Sequence, residues 1–164
     1  MLPRRTARTL LALLAAAALV ACAAAERPPS HRRRLNGDAR SVSFVWSTDA
    51  TTSLHLTGTS NSHGKLYVGP PSDIPPNAKD WKAGYAASKG FMTGVEGDLQ
   101  FSVNLNSGTT TGCSLNLHYD CPFVGANSYS CSVGGGQACQ QAIGCALSGG
   151  IGNNAELNIS VYAK

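Results

Sequence analysis

The stretch Leu99-Gln100-Phe101-Ser102-Val103-Asn104-Leu105 decides the fold. Large apolar side chains take every second position, with amides and a hydroxyl between them. In an extended chain successive side chains point to opposite faces, so this pattern buries one face and hydrates the other. The same period returns in Cys113, Leu115, Leu117, Tyr119 and Cys121, which alternate with Ser114, Asn116, His118 and Asp120. It returns again in Leu157, Ile159 and Val161 against Asn158, Ser160 and Tyr162, and in the shorter runs Val42-Phe44-Trp46 and Leu54-Leu56. No window carries a helical period through three turns. The joining pieces are rich in glycine and proline: Val68-Gly69-Pro70-Pro71, Pro75-Pro76, Ser107-Gly108, Gly134-Gly135-Gly136 and Gly149-Gly150. Gly94 and Gly97 read as turn residues in the same way. Short alternating strands with such turns predict an all-β sandwich or barrel, with no internal repeat.

The N-terminal part differs in character. Arg4, Arg5 and Arg8 precede an unbroken apolar run from Leu10 to Ala25, and Ala23-Ala24-Ala25 has the small-residue form of a cleavage site. Residues 1–25 therefore read as a signal peptide, too short at its apolar part for the ~20 residues a membrane span needs. The sequence Leu19-Val20-Ala21-Cys22 also matches a bacterial lipobox, in which Cys22 would carry lipid. Residues 26–40 are Pro- and Arg-rich without hydrophobic period and read as a linker or pro-segment. Within them His31-Arg32-Arg33-Arg34 is either a solvated basic arm, able to touch anionic lipid, or a processing site. From Ser41 onward five lysines face seven carboxylates, a net charge of −2. A folded body of that sign argues against a nucleic-acid partner.

Cysteine usage fits export to an oxidising compartment. Beyond Cys22 the chain has Cys113, Cys121, Cys131, Cys139 and Cys145, an odd set that allows at most two internal disulfides. Cys113 and Cys121 cannot pair along one strand, since eight residues at ~3.3 Å each exceed any disulfide span. The remaining connectivity is open at this level. Spacings without a close Cys-x-x-Cys pair, and histidines His31, His55, His63 and His118 scattered through the chain, argue against structural zinc. No metal site, cofactor motif, nucleophile elbow or phosphate loop is present. Glu96 and Asp98 share the polar face of one strand, which reads as solvated, so no catalytic residue is assigned. Asn158-Ile159-Ser160 is a glycosylation sequon whose Asn158 should point outward.

Three motifs carry a resemblance. Tyr119-Asp120-Cys121-Pro122-Phe123-Val124-Gly125-Ala126-Asn127 resembles the W-D-C-P-W-x-G-x-N segment of the aegerolysin family, small secreted β-sandwich proteins. Thr93-Gly94-Val95-Glu96-Gly97 resembles that family's T-G-T-E-G, and His63-Gly64-Lys65-Leu66-Tyr67 its W-G-K-F-Y. They occur in family order with similar spacing, and the resemblance covers 41–164. It implies a single antiparallel β-sandwich domain that recognises membrane sphingolipids. It also implies a haemolytic or cytolytic role exercised through a perforin-like pore-forming partner. Carried onto this chain, the motifs bring His63, Lys65, Tyr119, Asp120 and Phe123 forward as lipid-binding residues; beside them the aromatic, Pro-rich turn adds Tyr129, Lys65 or Lys89 can meet phosphate, and Asp120 either accepts from a head-group amine or caps the turn. The four cysteines beyond the family pattern, Cys113, Cys131, Cys139 and Cys145, would then form two disulfides and leave Cys121, in the family position, as a buried thiol.

The chain departs from the pattern where it matters for lipid. His63, Tyr119 and Phe123 stand where the family has tryptophan, and indole seats at a bilayer interface better than phenyl or imidazole. Tyr119 shares its strand face with Leu115 and Leu117, which favours a core position. A second functional class fits the same composition: an extracellular carbohydrate-binding module. There Trp81, Tyr85 and Tyr129 would stack on sugar rings, and Asn104, Asn106 and Asn116 would bond hydroxyls.

Overall fold

The computed structural model describes residues 40–90, 92–106 and 112–164. The expected signal peptide over 1–25, the lipobox at Cys22, the linker up to residue 39 and the Ser107-Gly108 turn lie outside the described residues. Among the described residues ten strands and one short helix follow in order: β1 (Ser41–Thr48), β2 (Thr52–His63), β3 (Lys65–Val68), β4 (Asp73–Ile74), β5 (Trp81–Ala87), β6 (Val95–Leu105), β7 (Ser114–Cys121), β8 (Ser128–Gly134), α1 (Gln137–Ala142), β9 (Ile143–Gly149) and β10 (Asn154–Ala163). They build two five-stranded sheets, β3-β5-β1-β10-β9 and β4-β2-β6-β7-β8, facing each other as a β-sandwich. Every alternating run in the sequence lies in a strand, with its apolar members inward. Val95, Leu99, Phe101 and Val103 of β6 meet Val42, Phe44, Leu157 and Ile159 from the opposite sheet.

One pairing departs from the expected antiparallel arrangement. β1 and β10 run parallel, from Ser41 opposite Asn154 to Thr48 opposite Val161. Parallel neighbours need a long crossover, and here the whole second sheet lies between them in sequence. The helix α1 was also not foreseen; at six residues it falls below any detectable period.

The centre of the core is aromatic. Phe44 and Tyr119 meet edge to face at 5.2 Å between centroids, and Trp46 and Phe101 at 5.0 Å. The Trp46 indole N–H donates to the Ala83 carbonyl at 2.9 Å, so its polar edge is satisfied inside the sandwich. On the outer face Val45 is buried although it points away from the core. Lys82, in register with it on β5, reaches over β1 to Glu156 at 2.8 Å, and the lysine stem shields this face from water.

Gly97 corrects the turn reading. It sits inside β6, opposite Asn61 on β2 and Tyr119 on β7. Its missing side chain leaves the room through which the Tyr119 phenol passes to donate to Asn61 Oδ1 at 2.7 Å.

At the far end of the sandwich Asp49 ties the β1–β2 turn to β10. Its carboxylate accepts from the backbone N–H of Thr51 at 2.9 Å, of Thr52 at 2.8 Å and of Ala163 at 2.7 Å. Burial alone would raise its pKa, but these bonds prevail and hold it at about 2. Since the folded value lies below the ordinary ~3.9, the contribution is complete above about pH 4 and is lost as pH falls toward 2. Thermal melts across that window should therefore show the Asp49→Asn chain less sensitive to acid than the parent. Parallel pH profiles would contradict this role.

Candidate functional site

Four connections meet at one end of the sandwich. The β2–β3 turn holds His63 and Lys65, and residues 88–94 join β5 to β6. Residues 122–127 join β7 to β8, and 150–153 join β9 to β10. Their common location follows from register: Lys65 and Ser41 both lie opposite Ala87, Ser41 lies opposite Asn154, and Val95 lies opposite Cys121. Gly94 lets the 88–94 loop approach the next one, since a Cβ there would stand 2.8 Å from the Cys121 carbonyl and 2.9 Å from Pro122 Cα.

A polar network locks the other loops together. Arg40 donates from Nη2 to the Phe123 carbonyl at 2.9 Å and from Nη1 to Asn127 Oδ1 at 3.5 Å. Asn127 Nδ2 donates to the carbonyls of Gly150 and Gly152 at 2.8 and 2.9 Å. Tyr129 O–H donates to Gly150 O at 2.9 Å, and the Cys121 sulfur lies 3.1 Å from the same phenol oxygen. Burial pushes the Cys121 thiol up despite the Tyr129 contact, and burial likewise pushes the Tyr129 phenol up. Both hydrogens are therefore retained, and the bonds form one relay in which the thiol donates to the phenol and the phenol to the backbone.

What this framework presents outward is apolar. Met92 is 57% exposed, Val124 81% and Ile151 89%, one on each of three adjoining loops. Phe123 is half-buried beside Val124, and Lys89 stands exposed on the loop that carries Met92. Three large apolar side chains are thus held out at one end of the sandwich, on loops that adjoin one another through Gly94 and Asn127, and their gathering there distinguishes them from apolar residues scattered singly.

The expected lipid-binding residues distribute unevenly around this end. His63 lies on its rim, its Nδ1 2.8 Å from Glu96 Oε2, and Lys65 stands with its ammonium 5.5 Å from the centre of the Tyr67 ring. Phe123 lies on the 122–127 loop, next to Val124 in the chain. Asp120 is half-buried on the outer sheet face opposite Glu96, one step below the rim. Tyr129 lies behind the loops as a strut. Tyr119 is fully buried in the core, so it supports Gly97 and Asn61 and offers nothing to a ligand. Its strand alternation with Leu115 and Leu117 dictates that placement. Sequence reasoning missed Met92, Val124 and Ile151, because isolated apolar residues in loops have no period, and gave Asn127 no role although it closes the quoted motif.

The cysteines pair as Cys113–Cys139 and Cys131–Cys145, and Cys121 is a free buried thiol. Asn158 lies on the outer face of β10, half-buried between Val45 and Ser148 on the flanking strands. The residues of the carbohydrate reading do not assemble. Trp81 packs against the core, Tyr85 pairs with Tyr67 at 6.2 Å outside the first sheet, and Tyr129 belongs to the second. Asn116 donates to Asp98 at 3.3 Å, while Asn104 lies exposed on β6 and Asn106 directly after it. Among the described residues no group of three or more His, Cys, Asp or Glu side chains could hold a metal ion, and no helix is long and apolar enough to cross a membrane.

The architecture is that of an all-β, two-sheet sandwich with a loop-built apolar end. Among solved structures it resembles the lipid binding protein Nakanori, with a TM-score of 0.58 at 12% identity over 76% of this chain and 72% of that one. Looser matches are RahU protein in complex with TRIS (TM-score 0.49, 14% identity, 77% of this chain and 96% of that one) and IP-1A from Alcaligenes faecalis (0.47, 18%, 77% and 92%). At these identities the likeness is one of fold. No family model and no curated protein matches the chain.

Proposed function

We propose that this chain is a secreted membrane-lipid recognition protein, and that its loop end is the surface that meets the bilayer. The observation that carries the reading is the row of exposed apolar tips Met92, Val124 and Ile151, braced by the Arg40–Asn127–Tyr129 network. A rigid apolar end can enter the head-group region without unfolding, while Lys65, Lys89 and His63 on or near its rim meet phosphate. The two disulfides suit an extracellular site. Sphingolipids with small head groups are the favoured ligand, in keeping with the sequence motifs that border this end. Lysis, where it occurs, would come from a perforin-like partner recruited after docking.

The experiment is co-sedimentation with liposomes of ceramide phosphoethanolamine, of sphingomyelin with sterol, and of phosphatidylcholine alone. Selective pelleting with a sphingolipid is expected. A Val124→Ser/Ile151→Ser chain should bind on the order of 100-fold more weakly, because two aliphatic side chains contribute about 3 kcal/mol on leaving water. Pelleting indifferent to both the lipid and these substitutions would refute the reading. Lysis by the chain alone would remove the partner from it.

A further inference from the structure

A pair of tyrosines stands on the outer face of the first sheet, a short way behind the apolar end. Tyr67 on β3 and Tyr85 on β5 hold their rings 6.2 Å apart between centroids and tilted by 42°, and Tyr67 is 40% exposed. Register places their neighbours. Tyr85 lies opposite Ser43 of β1, and Ser43 lies opposite Glu156 of β10, so the row runs from ring to hydroxyl to carboxylate across three strands. With neighbouring strands ~4.8 Å apart, the backbone of Glu156 lies about 10 Å from that of Tyr85, and the small Ser43 side chain fills little of the space between. Lys82 closes the far side, its ammonium 2.8 Å from the Glu156 carboxylate, and the Lys65 ammonium lies 5.5 Å from the centre of the Tyr67 ring. Tyr85 is two residues from the end of β5 at Ala87, so the pair stands ~7 Å back from the loop that carries Met92.

We propose that the tyrosine pair is a sugar site, and that the lipid met by this domain is a glycosphingolipid whose first pyranose ring lies on Tyr67 while Met92, Val124 and Ile151 reach its bilayer. The inference rests on the reading of the loop end as membrane-facing and adds the head group. A pyranose has a face of C–H groups that packs against an aromatic ring, and a rim of hydroxyls that both donate and accept. The trough offers each partner: ring area on Tyr67, donors on Lys65 and Lys82, and an acceptor on Glu156. Other ligands fit it less well. A quaternary ammonium, the usual guest of paired rings, would have to displace Lys65 from Tyr67 against its like charge. A phosphate drawn to Lys82 would meet the Glu156 carboxylate already there. A hexose joined directly to ceramide stands at the bilayer surface, the height at which the pair is held once the apolar tips are immersed.

The test is co-sedimentation of the full chain with phosphatidylcholine vesicles that contain ceramide, glucosylceramide or ceramide phosphoethanolamine, repeated with methyl β-glucoside in solution. Glucosylceramide should bind the chain more tightly than ceramide, from which it differs only in the sugar. Tyr67→Ala should weaken binding to glucosylceramide vesicles by about tenfold, and Tyr67→Phe, which keeps the ring, should bind as the parent does. Neither substitution should change binding to ceramide phosphoethanolamine or the melting temperature, since Tyr67 is exposed on an edge strand. Equal binding to ceramide and glucosylceramide, or a Tyr67→Ala chain that keeps the parent's preference, would overturn the proposal. So would free methyl β-glucoside that competes as well as the membrane-borne lipid, because the sugar would then be recognised from solution. Selective binding to ceramide phosphoethanolamine with no gain from the glucose defeats this inference and leaves the lipid-recognition reading standing. Tyr67-dependent binding to glucosylceramide that ignores Val124→Ser/Ile151→Ser refutes the loop end instead and leaves the sugar site standing.

Discussion

Gly97→Ala is expected to destabilise the domain by at least about 3 kcal/mol, a lowering of the melting temperature by roughly 10 °C or more. The added Cβ would stand 2.5 Å from Tyr119 Oη and 2.8 Å from Cζ, and would strike the Ser60 carbonyl on the other side. Neither neighbour has room to yield. The Ser60 carbonyl is backbone of β2, which pairs with β6 along most of its length. The Tyr119 ring is wedged edge-on against Phe44, and its hydroxyl is committed to Asn61. Displacing the ring loses that bond and loosens the aromatic core at once, where packing is dense enough for one methyl group to register. The measurement is a thermal melt followed by circular dichroism. Shrinking the opposing residue in Gly97→Ala/Tyr119→Leu should recover part of the loss, since one of the two clashes is relieved. A single variant that melts within a few degrees of the parent would show that Tyr119 can leave the core.

The second large effect concerns the disulfides. Cys131–Cys145 joins β8 to β9, edge strands of opposite sheets, and so closes one open side of the sandwich. Cys113–Cys139 fastens α1 to the start of β7 at the end away from the loops that carry Met92, Val124 and Ile151. Their sequence separations are 26 for Cys113–Cys139 and 14 for Cys131–Cys145. On a chain-entropy basis such loops are worth about 3.5 and 3 kcal/mol, close to the whole stability of a typical small domain. Urea unfolding with and without reductant should show the reduced chain at or past its midpoint in water. Cys131→Ala/Cys145→Ala alone should shift the midpoint less than reduction of both bonds. Equal midpoints for oxidised and reduced protein would mean that packing alone sustains the fold.

How far the chain can be read without coordinates depends on which face a residue serves. β6, β7 and β10 were legible because each buries one face and wets the other, which imprints alternation directly on the letters. β2 was legible only at Leu54 and Leu56. Its continuation through Thr57, Ser60 and Asn61 is polar on both faces, and it is held as a strand by pairing with β6 rather than by burial. Gly97 misled for a related reason: a glycine in a strand and a glycine in a turn look alike until the side chain that fills the gap is known. Among the candidate site residues, Phe123, Lys65 and His63 were named through motif resemblance, and all three stand at or beside the loop end. Met92, Val124 and Ile151 come together only through the register of four strand pairs, and register between distant segments leaves no mark on any one of them.

The parallel pairing of β1 with β10 sets a timetable. Val42, Phe44 and Trp46 belong to the first strand made, yet one flank of that strand stays bare until Asn154–Ala163 emerges more than a hundred residues later. Asp49 likewise waits for the amide of Ala163 to complete its set of donors. Contacts so distant along the chain form slowly, and an unmatched apolar strand invites the wrong neighbour in the interval. The first sheet thus stays incomplete on one side of β1 until β10 is available to it. Once β10 pairs, it lies between β1 and β9, so one late strand both covers the bare flank of the central β1 and ties the edge strand β9 to the sheet.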